Sequence, residues 1–302
     1  GLLLVQNTVG IALAKLLGLD PLMGLLAGSI TLSGGHGTGA AWGKIFTEDY
    51  GFKSATEVAM ACATFGLVLG GLIGGPVARF LIRNIPTPGT ADEDKDVPTA
   101  FEKPQSNRMI NSMVLIETIA LIAICLLAGS WIAGLLSGTA FALPKFVCVL
   151  FVGVILSNSL SLLGFYRVFD RAVSVMGNVS LSLFLAMALM SLKLWELASL
   201  AIPMLVILGV QACVMAGYAI FVTFRVMGKN YDAAILAAGH CGFGLGATPT
   251  AIANMQAVTD KFGPSHLAFL VVPMVGAFFI DIVNALVIKF YLWLPVFPTI
   301  GG

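Results

Sequence analysis

Seven long apolar runs constrain this chain more than any other feature of its sequence. They occupy residues 1–17, 55–80, 111–136, 143–163, 172–192, 199–224 and 265–291. A helix needs about 20 apolar residues to cross ~30 Å of hydrocarbon, and all but the short first run reach that length. Inside hydrocarbon a segment must satisfy its own backbone hydrogen bonds, and helices do this residue by residue. The predicted fold class is therefore an all-α membrane protein with several spans. Composition agrees: 58% of residues are apolar and 10% are charged. Sixteen Lys and Arg stand against fifteen Asp and Glu. Such a chain is too apolar and too neutral to be disordered, and it lacks the basic face of a nucleic-acid binder. Its five cysteines are odd in number and show no metal-ligand spacing, so they read as small core residues.

Two further apolar stretches, 22–43 and 234–258, are interrupted by glycines near their middles. Between the halves that contain them lies a polar linker, 85–110. It carries Pro86, Pro88, Pro98 and Pro104 and the acidic run Asp92-Glu93-Asp94-Lys95-Asp96. Such a segment belongs in water and divides the chain. The halves are related. Gly35-His36-Gly37-Thr38-Gly39-Ala40 matches Gly239-His240-Cys241 with Gly244-Leu245-Gly246-Ala247. Gln6 and Gln211 precede the two Gly-His pairs at nearly the same distance, and Asp49-Tyr50-Gly51 corresponds to Lys261-Phe262-Gly263. This is an internal repeat.

Charge sets the expected topology. If both interrupted stretches dip in and return to their own side, then 79–110, 164–171, 225–232 and Lys261 share one face. That face holds every Arg of the chain, which makes it cytoplasmic. Linker 85–110 is then cytoplasmic and the C-terminus periplasmic. Hairpin 22–43 enters from outside and hairpin 234–258 from inside. Oppositely oriented repeats with broken segments are the mark of a secondary transporter. The expected organisation is residues 1–84 as the C-terminal part of repeat 1, then the linker, then repeat 2 over 111–302. Completing repeat 1 predicts about 100 further residues and three spans ahead of Gly1.

A broken membrane helix frees N–H groups at one end and carbonyls at the other, attracting anions and cations respectively. Gly34, Gly35, Gly37 and Gly39 permit this in one hairpin. Gly239, Gly242, Gly244 and Gly246 permit it in the other, with Pro249 as a helix restart. Ser33, Thr38, Thr248 and Thr250 add hydroxyls. Soluble readings of these glycines fail. Neither run follows a strand as a dinucleotide fingerprint requires, and Gly43-Lys44 leads to Ile45 where a phosphate loop needs Ser or Thr.

Ionisable groups at membrane depth are costly, so each needs a reason. Asp281 lies deep in the last run, with Asn284 on the same helix face three residues on. It is the candidate to hold a cation or a substrate ammonium; an interhelical hydrogen bond is its alternative use. Asn284, Asn254 and Thr64 complete the candidate cation region, and Asn7 and Gln256 lie close by. His36 and His240 either contact substrate, shuttle protons or simply pack. No Lys or Arg lies mid-span, so an anionic substrate would be held by helix ends and hydroxyls. Its charge would need a co-transported cation.

At three stretches the chain resembles the bacterial sodium/glutamate symporter family. These are Ser33-Gly34-Gly35-His36-Gly37-Thr38-Gly39-Ala40-Ala41-Trp42, Gly239-His240-Cys241-Gly242-Phe243-Gly244-Leu245-Gly246-Ala247-Thr248-Pro249-Thr250-Ala251, and Pro273-Met274-Val275-Gly276-Ala277-Phe278-Phe279-Ile280-Asp281. The likeness runs over essentially the whole chain. It implies a Na⁺-driven importer of L-glutamate in the bacterial inner membrane, with no organic cofactor. It also implies inverted five-span repeats, a homodimer joined through scaffold spans 111–136 and 143–163, and an elevator-like core containing both hairpins. The alternatives are a cation-coupled symporter of another carboxylate, an intramembrane enzyme using Asp281 or the His pair, and a passive membrane scaffold. The absence of an HExxH or paired-Asp motif speaks against the enzyme.

Overall fold

The computed structural model describes residues 1–83, 85–86, 110–137, 144–164, 166, 168–191 and 200–297. Most of linker 85–110, with its acidic run and three of its prolines, lies outside the described residues, as do the first residues of runs 143–163 and 199–224 and the last residue of run 172–192. The described residues are helical, and two compact units emerge, one from Gly1–Glu102 with Lys193–Gly302 and the other from Lys103–Leu192.

In the larger unit the helices are α1 (Leu2–Leu16), α2 (Pro21–Leu25, continued by a π-helical turn Leu26–Ile30), α3 (Gly35–Glu48) and α4 (Ala55–Ile82). They continue as α8 (Ala201–Tyr218, extended by a π-helical turn Ala219–Thr223), α9 (Tyr231–Leu245) and α10 (Thr248–Phe262). Helix α11 (His266–Met274) runs through a π-helical turn, Val275–Phe279, into α12 (Ile280–Leu292). The smaller unit holds α5 (Ser112–Leu136), α6 (Lys145–Leu162) and α7 (Asp170–Ser191). A helix therefore forms at each of the seven apolar runs. Four are by themselves long and apolar enough to cross a membrane: Ala55–Ile82, Ser112–Leu136, Lys145–Leu162 and Ala201–Val226.

Local chemistry sets several starts. Asp20 caps α2 by accepting from the Leu22 N–H at 2.8 Å, with Pro21 supplying a preset φ. Asn230 and Asn111 cap α9 and α5 in the same way, accepting from Ala233 and Val114 at 2.9 Å each.

Small residues set the packing of the larger unit. Gly10 of α1 faces Gly24 of α2, and Gly43 of α3 faces Thr56 of α4. Gly242 of α9 faces Ala251 of α10, while Gly239 faces Met255. Second contacts, Gly28 on Asn7 and Gly39 on Ala59, run in the opposite order along each partner, as Gly239 and Gly242 do on α10, so the paired helices are antiparallel. Helix α4 also lies along α9, with Gly66 beside Leu245 and Gly70 beside Cys241. Lipid supplies no hydrophobic drive between apolar helices, so close backbone approach and dispersion carry this packing. Around it Leu22, Leu25, Ile30, Phe46, Ile207, Met215, Ile235 and Leu245 are buried. The opposite faces are apolar and exposed, including Phe65, Val68, Leu72 and Phe80 on α4. That is a sensible surface only against hydrocarbon.

In the smaller unit α5 packs on α6 at Gly129 and Val149. A small core of Val114, Phe169 and Ala172 joins α5 to α7. Tyr166 donates to Glu117 Oε2 at 2.7 Å, which accounts for Glu117 as a structural group.

Candidate functional site

Both glycine-interrupted stretches are two helices with a break between them, and the two breaks meet. The first lies at Ser33-Gly34, between the end of the α2 arm and α3. Gly35 has φ +69°, a conformation that costs little only without a Cβ. The second break is Gly246-Ala247, where φ/ψ reach −147°/−99° and −153°/162°. A Cβ added to Gly35 would lie 3.5 Å from the Gly246 carbonyl oxygen. Across the junction the Ser33 hydroxyl donates to Gln6 Oε1 at 2.8 Å and approaches the Gly244 carbonyl at 3.3 Å. Gln6 Nε2 donates to the same carbonyl at 2.6 Å. Gln211 Nε2 donates to the Gln6 carbonyl at 2.7 Å. Gln6 and Gln211 are fully buried, and Ser33 is nearly so.

Two helix N-termini converge here, those of α3 and α10. Neither is capped by a side chain. The ends of the α2 arm and of α9 bring carbonyls to the same place. The junction therefore offers N–H donors for carboxylates and carbonyl oxygens for cations within one locality. Thr38, Thr248 and Thr250 sit in or near the first turns of the two restarting helices and are half-buried.

Not every glycine named from sequence bends the chain. Gly37 and Gly39 are helical in α3, and Gly239, Gly242 and Gly244 are helical in α9. The last three face neighbours instead: Gly239 meets Met255 and Val272, Gly242 meets the Ala251 backbone, and Gly244 meets Met215 and Leu2. The bend of the second stretch falls at Gly246-Ala247. Close packing on both sides holds α9 as helix up to Leu245, where Pro249 has no N–H to give the Leu245 carbonyl and its ring would clash there.

This shift separates the two histidines. His36 follows its break by two residues, and its Nε2 lies 3.1 Å from Thr64 Oγ1 on α4. His240 precedes its break. Its Nδ1 lies 2.8 Å from Thr223 Oγ1, and its ring stacks on Phe243 at 4.8 Å and meets Tyr218 edge-on at 5.8 Å. His240 also lines a largely apolar cavity of about 370 Å³ with Tyr218, Thr223 and Phe243.

The residues of the candidate cation region that bond do so to different partners. Thr64 pairs with His36 and with the Met60 carbonyl at 2.9 Å. Asn254 donates to the Gly70 carbonyl at 2.9 Å and the Ala238 carbonyl at 3.4 Å, tying α10 to α4 and α9. Asn284 donates to the Ser29 carbonyl at 2.8 Å. Asp281 and Asn284 lie three residues apart on one face of α12. Asp281 is half-buried and makes no hydrogen bond or ion pair among the described residues. The bonding roles of Gln6, Gln211 and Ser29 were not evident from sequence. The only signal was the pairing of Gln6 with Gln211 in the repeat; Ser29 gave none.

The profile of the sodium/glutamate symporter family matches residues 1–264. The sodium/glutamate symporter of Escherichia coli (strain K12) is 79% identical over 297 residues, which cover 98% of this chain and 74% of that protein. The Shigella flexneri sodium/glutamate symporter matches to the same extent. That of Haemophilus influenzae is 58% identical over 286 residues, 94% of this chain and 71% of that protein. No solved structure matches the chain. A helical, lipid-compatible chain with two facing helix breaks, matched this closely and over nearly its whole length, belongs to the sodium/glutamate symporter family.

Proposed function

We propose that the protein is a sodium-coupled symporter that imports L-glutamate across the bacterial inner membrane by alternating access. The observation that carries this reading is the meeting of two uncapped helix N-termini at facing breaks, in a member of this family. The carboxylates of glutamate bind the N–H groups that open α3 and α10, with Ser33, Thr38, Thr248 and Thr250 beside them. The substrate ammonium and Na⁺ take freed carbonyls and Asp281. Glutamate carries a net negative charge, and no basic residue lies mid-span to neutralise it. A co-transported cation meets that need, because an unpaired charge at this depth is prohibitive.

The wider architecture follows the same reading. The two helix–break–helix pairs are re-entrant hairpins of inverted repeats. Linker 85–110 is cytoplasmic and the C-terminus periplasmic. Spans 111–136 and 143–163 form the scaffold of a homodimer, and the hairpin-bearing core moves against it. Such a protein moves its substrate unchanged and is not an enzyme.

The test is uptake of radiolabelled L-glutamate into proteoliposomes, driven by an inward Na⁺ gradient and repeated with choline in its place. Uptake occurs only with Na⁺, and other dicarboxylates compete less well than glutamate. Equal uptake in choline overturns the cation, and preferred uptake of another carboxylate overturns the substrate. Asp281→Asn keeps the side chain's size and removes its charge. The Na⁺ concentration for half-maximal uptake then rises by about tenfold or more, as 1.4 kcal/mol of lost attraction gives. An unchanged Na⁺ requirement removes Asp281 from the cation site.

A further inference from the structure

The inward arm of the first hairpin contains a second polar centre, away from the break. Gly28 departs from helical geometry, with φ −103° and ψ −138°. A Cβ there would lie 2.7 Å from Asn7 Oδ1, so the missing side chain is what admits Asn7. The next residue, Ser29, is fully buried, and its backbone is held from two other helices. Its N–H donates to Asn7 Oδ1 of α1 at 2.8 Å, and its carbonyl accepts from Asn284 Nδ2 of α12 at 2.8 Å. These two bonds fix which end of each amide is oxygen and which is nitrogen. Among the described residues they leave Ser29 Oγ, Asn284 Oδ1 and Asn7 Nδ2 without partners, on residues at most 1% exposed. Buried polar atoms are almost always paired, and two of these, Ser29 Oγ and Asn284 Oδ1, are oxygens that a cation would satisfy. One turn before Asn284, on the same face of α12, stands the Asp281 carboxylate, which has no hydrogen-bond or ion-pair partner among the described residues.

We propose that Ser29 Oγ, Asn284 Oδ1 and the Asp281 carboxylate form a monovalent-cation site between the first hairpin and α12. The inference rests on the symporter reading, which makes Na⁺ the occupant. Hydroxyl, amide and carboxylate oxygens are the donor set of a hard cation. A membrane carboxylate without a basic partner supplies the charge that draws one in. Asn7 is a positioning residue: it holds the Ser29 N–H and presents nitrogen, not oxygen, at its free end. The site explains how ion and substrate can be coupled. Its cation joins α12 to the kinked arm whose far end carries Ser33 and the first break. Binding the ion therefore orders one wall of the glutamate site, and glutamate in turn favours the ion.

Thermal unfolding of the purified protein in detergent tests this, with NaCl titrated against choline chloride at constant ionic strength. Ser29→Ala removes a hydroxyl with no protein partner, so in choline its midpoint equals or exceeds that of the unmodified protein. Its Na⁺ response shifts to concentrations higher by about tenfold or more. Ser29→Cys keeps the shape but offers a soft sulfur, and it weakens the response likewise. Ser29→Thr keeps it. A Na⁺ response unchanged in both Ser29→Ala and Ser29→Cys overturns the site and leaves the symporter reading standing. If the unmodified protein shows no Na⁺ response at all, that reading fails first and this site with it.

Discussion

Gly242→Ala will abolish sodium-driven glutamate uptake and lower the unfolding midpoint sharply. The added Cβ falls onto backbone: the Cα of Ala251, its nitrogen at 2.5 Å and the Thr250 carbonyl carbon at 2.8 Å. A flexible side chain could turn away, but a backbone cannot. The only relief is to spread α9 from α10, and α9 has little room to move. On its other side a Cβ on Gly70 would stand 3.2 Å from the carbonyl oxygens of Cys241 and Gly242, and Gly66 closes on the Leu245 carbonyl. A methyl forced into such a contact costs about 3 kcal/mol or more. At 1.36 kcal/mol per tenfold, that shifts the equilibrium between packed and spread helices by roughly 100-fold toward the spread form. Gly209→Ala is the control, since Gly209 lies exposed in α8 with nothing within 4 Å of its Cβ. There alanine stabilises the helix by about 0.5–1 kcal/mol. Wild-type uptake and midpoint in Gly242→Ala would mean that α9 and α10 are not packed as described.

The second large effect belongs to Gln6. Its side chain donates to the Gly244 carbonyl and accepts from Ser33, joining the two breaks in a fully buried place. Gln6→Ala leaves the Ser33 hydroxyl with only its long 3.3 Å contact to Gly244. It takes the short bond from the Gly244 carbonyl and opens a void. Each stranded group costs about 1–3 kcal/mol, and the void adds to it. Uptake falls by roughly 100-fold, the equivalent of about 3 kcal/mol. Ser33→Ala costs less, about 1–2 kcal/mol, because Gln6 still satisfies Gly244. Since both residues serve one carbonyl, their effects are not additive in a double-mutant cycle. Additive losses would show that the two side chains act apart.

Much of the architecture was legible from apolar run length alone. The run 55–80 became Ala55–Ile82, and 199–224 became Ala201–Val226, because each had to span hydrocarbon as one helix. The existence of two breaks was legible from glycine, but which glycines of the second run bend it was not: Gly246 does, and Gly239, Gly242 and Gly244 do not. Glycine marks close approach as readily as bending, and sequence alone does not say which. At Gly239, Gly242 and Gly244 close approach won, because α4 and α10 press on α9 from two sides. The sharper local signal was Pro249, the expected helix restart, which has no N–H for the Leu245 carbonyl four residues back. The Gly-His likeness misled for the same reason, setting His36 and His240 as equivalents although they flank their breaks on opposite sides. Ser29 could not be found at all. It sits in an ordinary apolar run, and its partners Asn7 and Asn284 lie 22 and 255 residues away. Only the folded chain brings those amides to one backbone unit.

The central claim is that both breaks line one sodium-dependent glutamate site. Single cysteines at Gly37 and Ala247 test it, in a background with the five native cysteines replaced. Gly37 is exposed with nothing near its Cβ, and Ala247 stands at the second break. The measurement is the rate of labelling by a thiol reagent, with and without L-glutamate, in Na⁺ and in choline. The account predicts that glutamate slows labelling at both positions in Na⁺ and at neither in choline. Protection at one break alone, or protection that persists in choline, would contradict it.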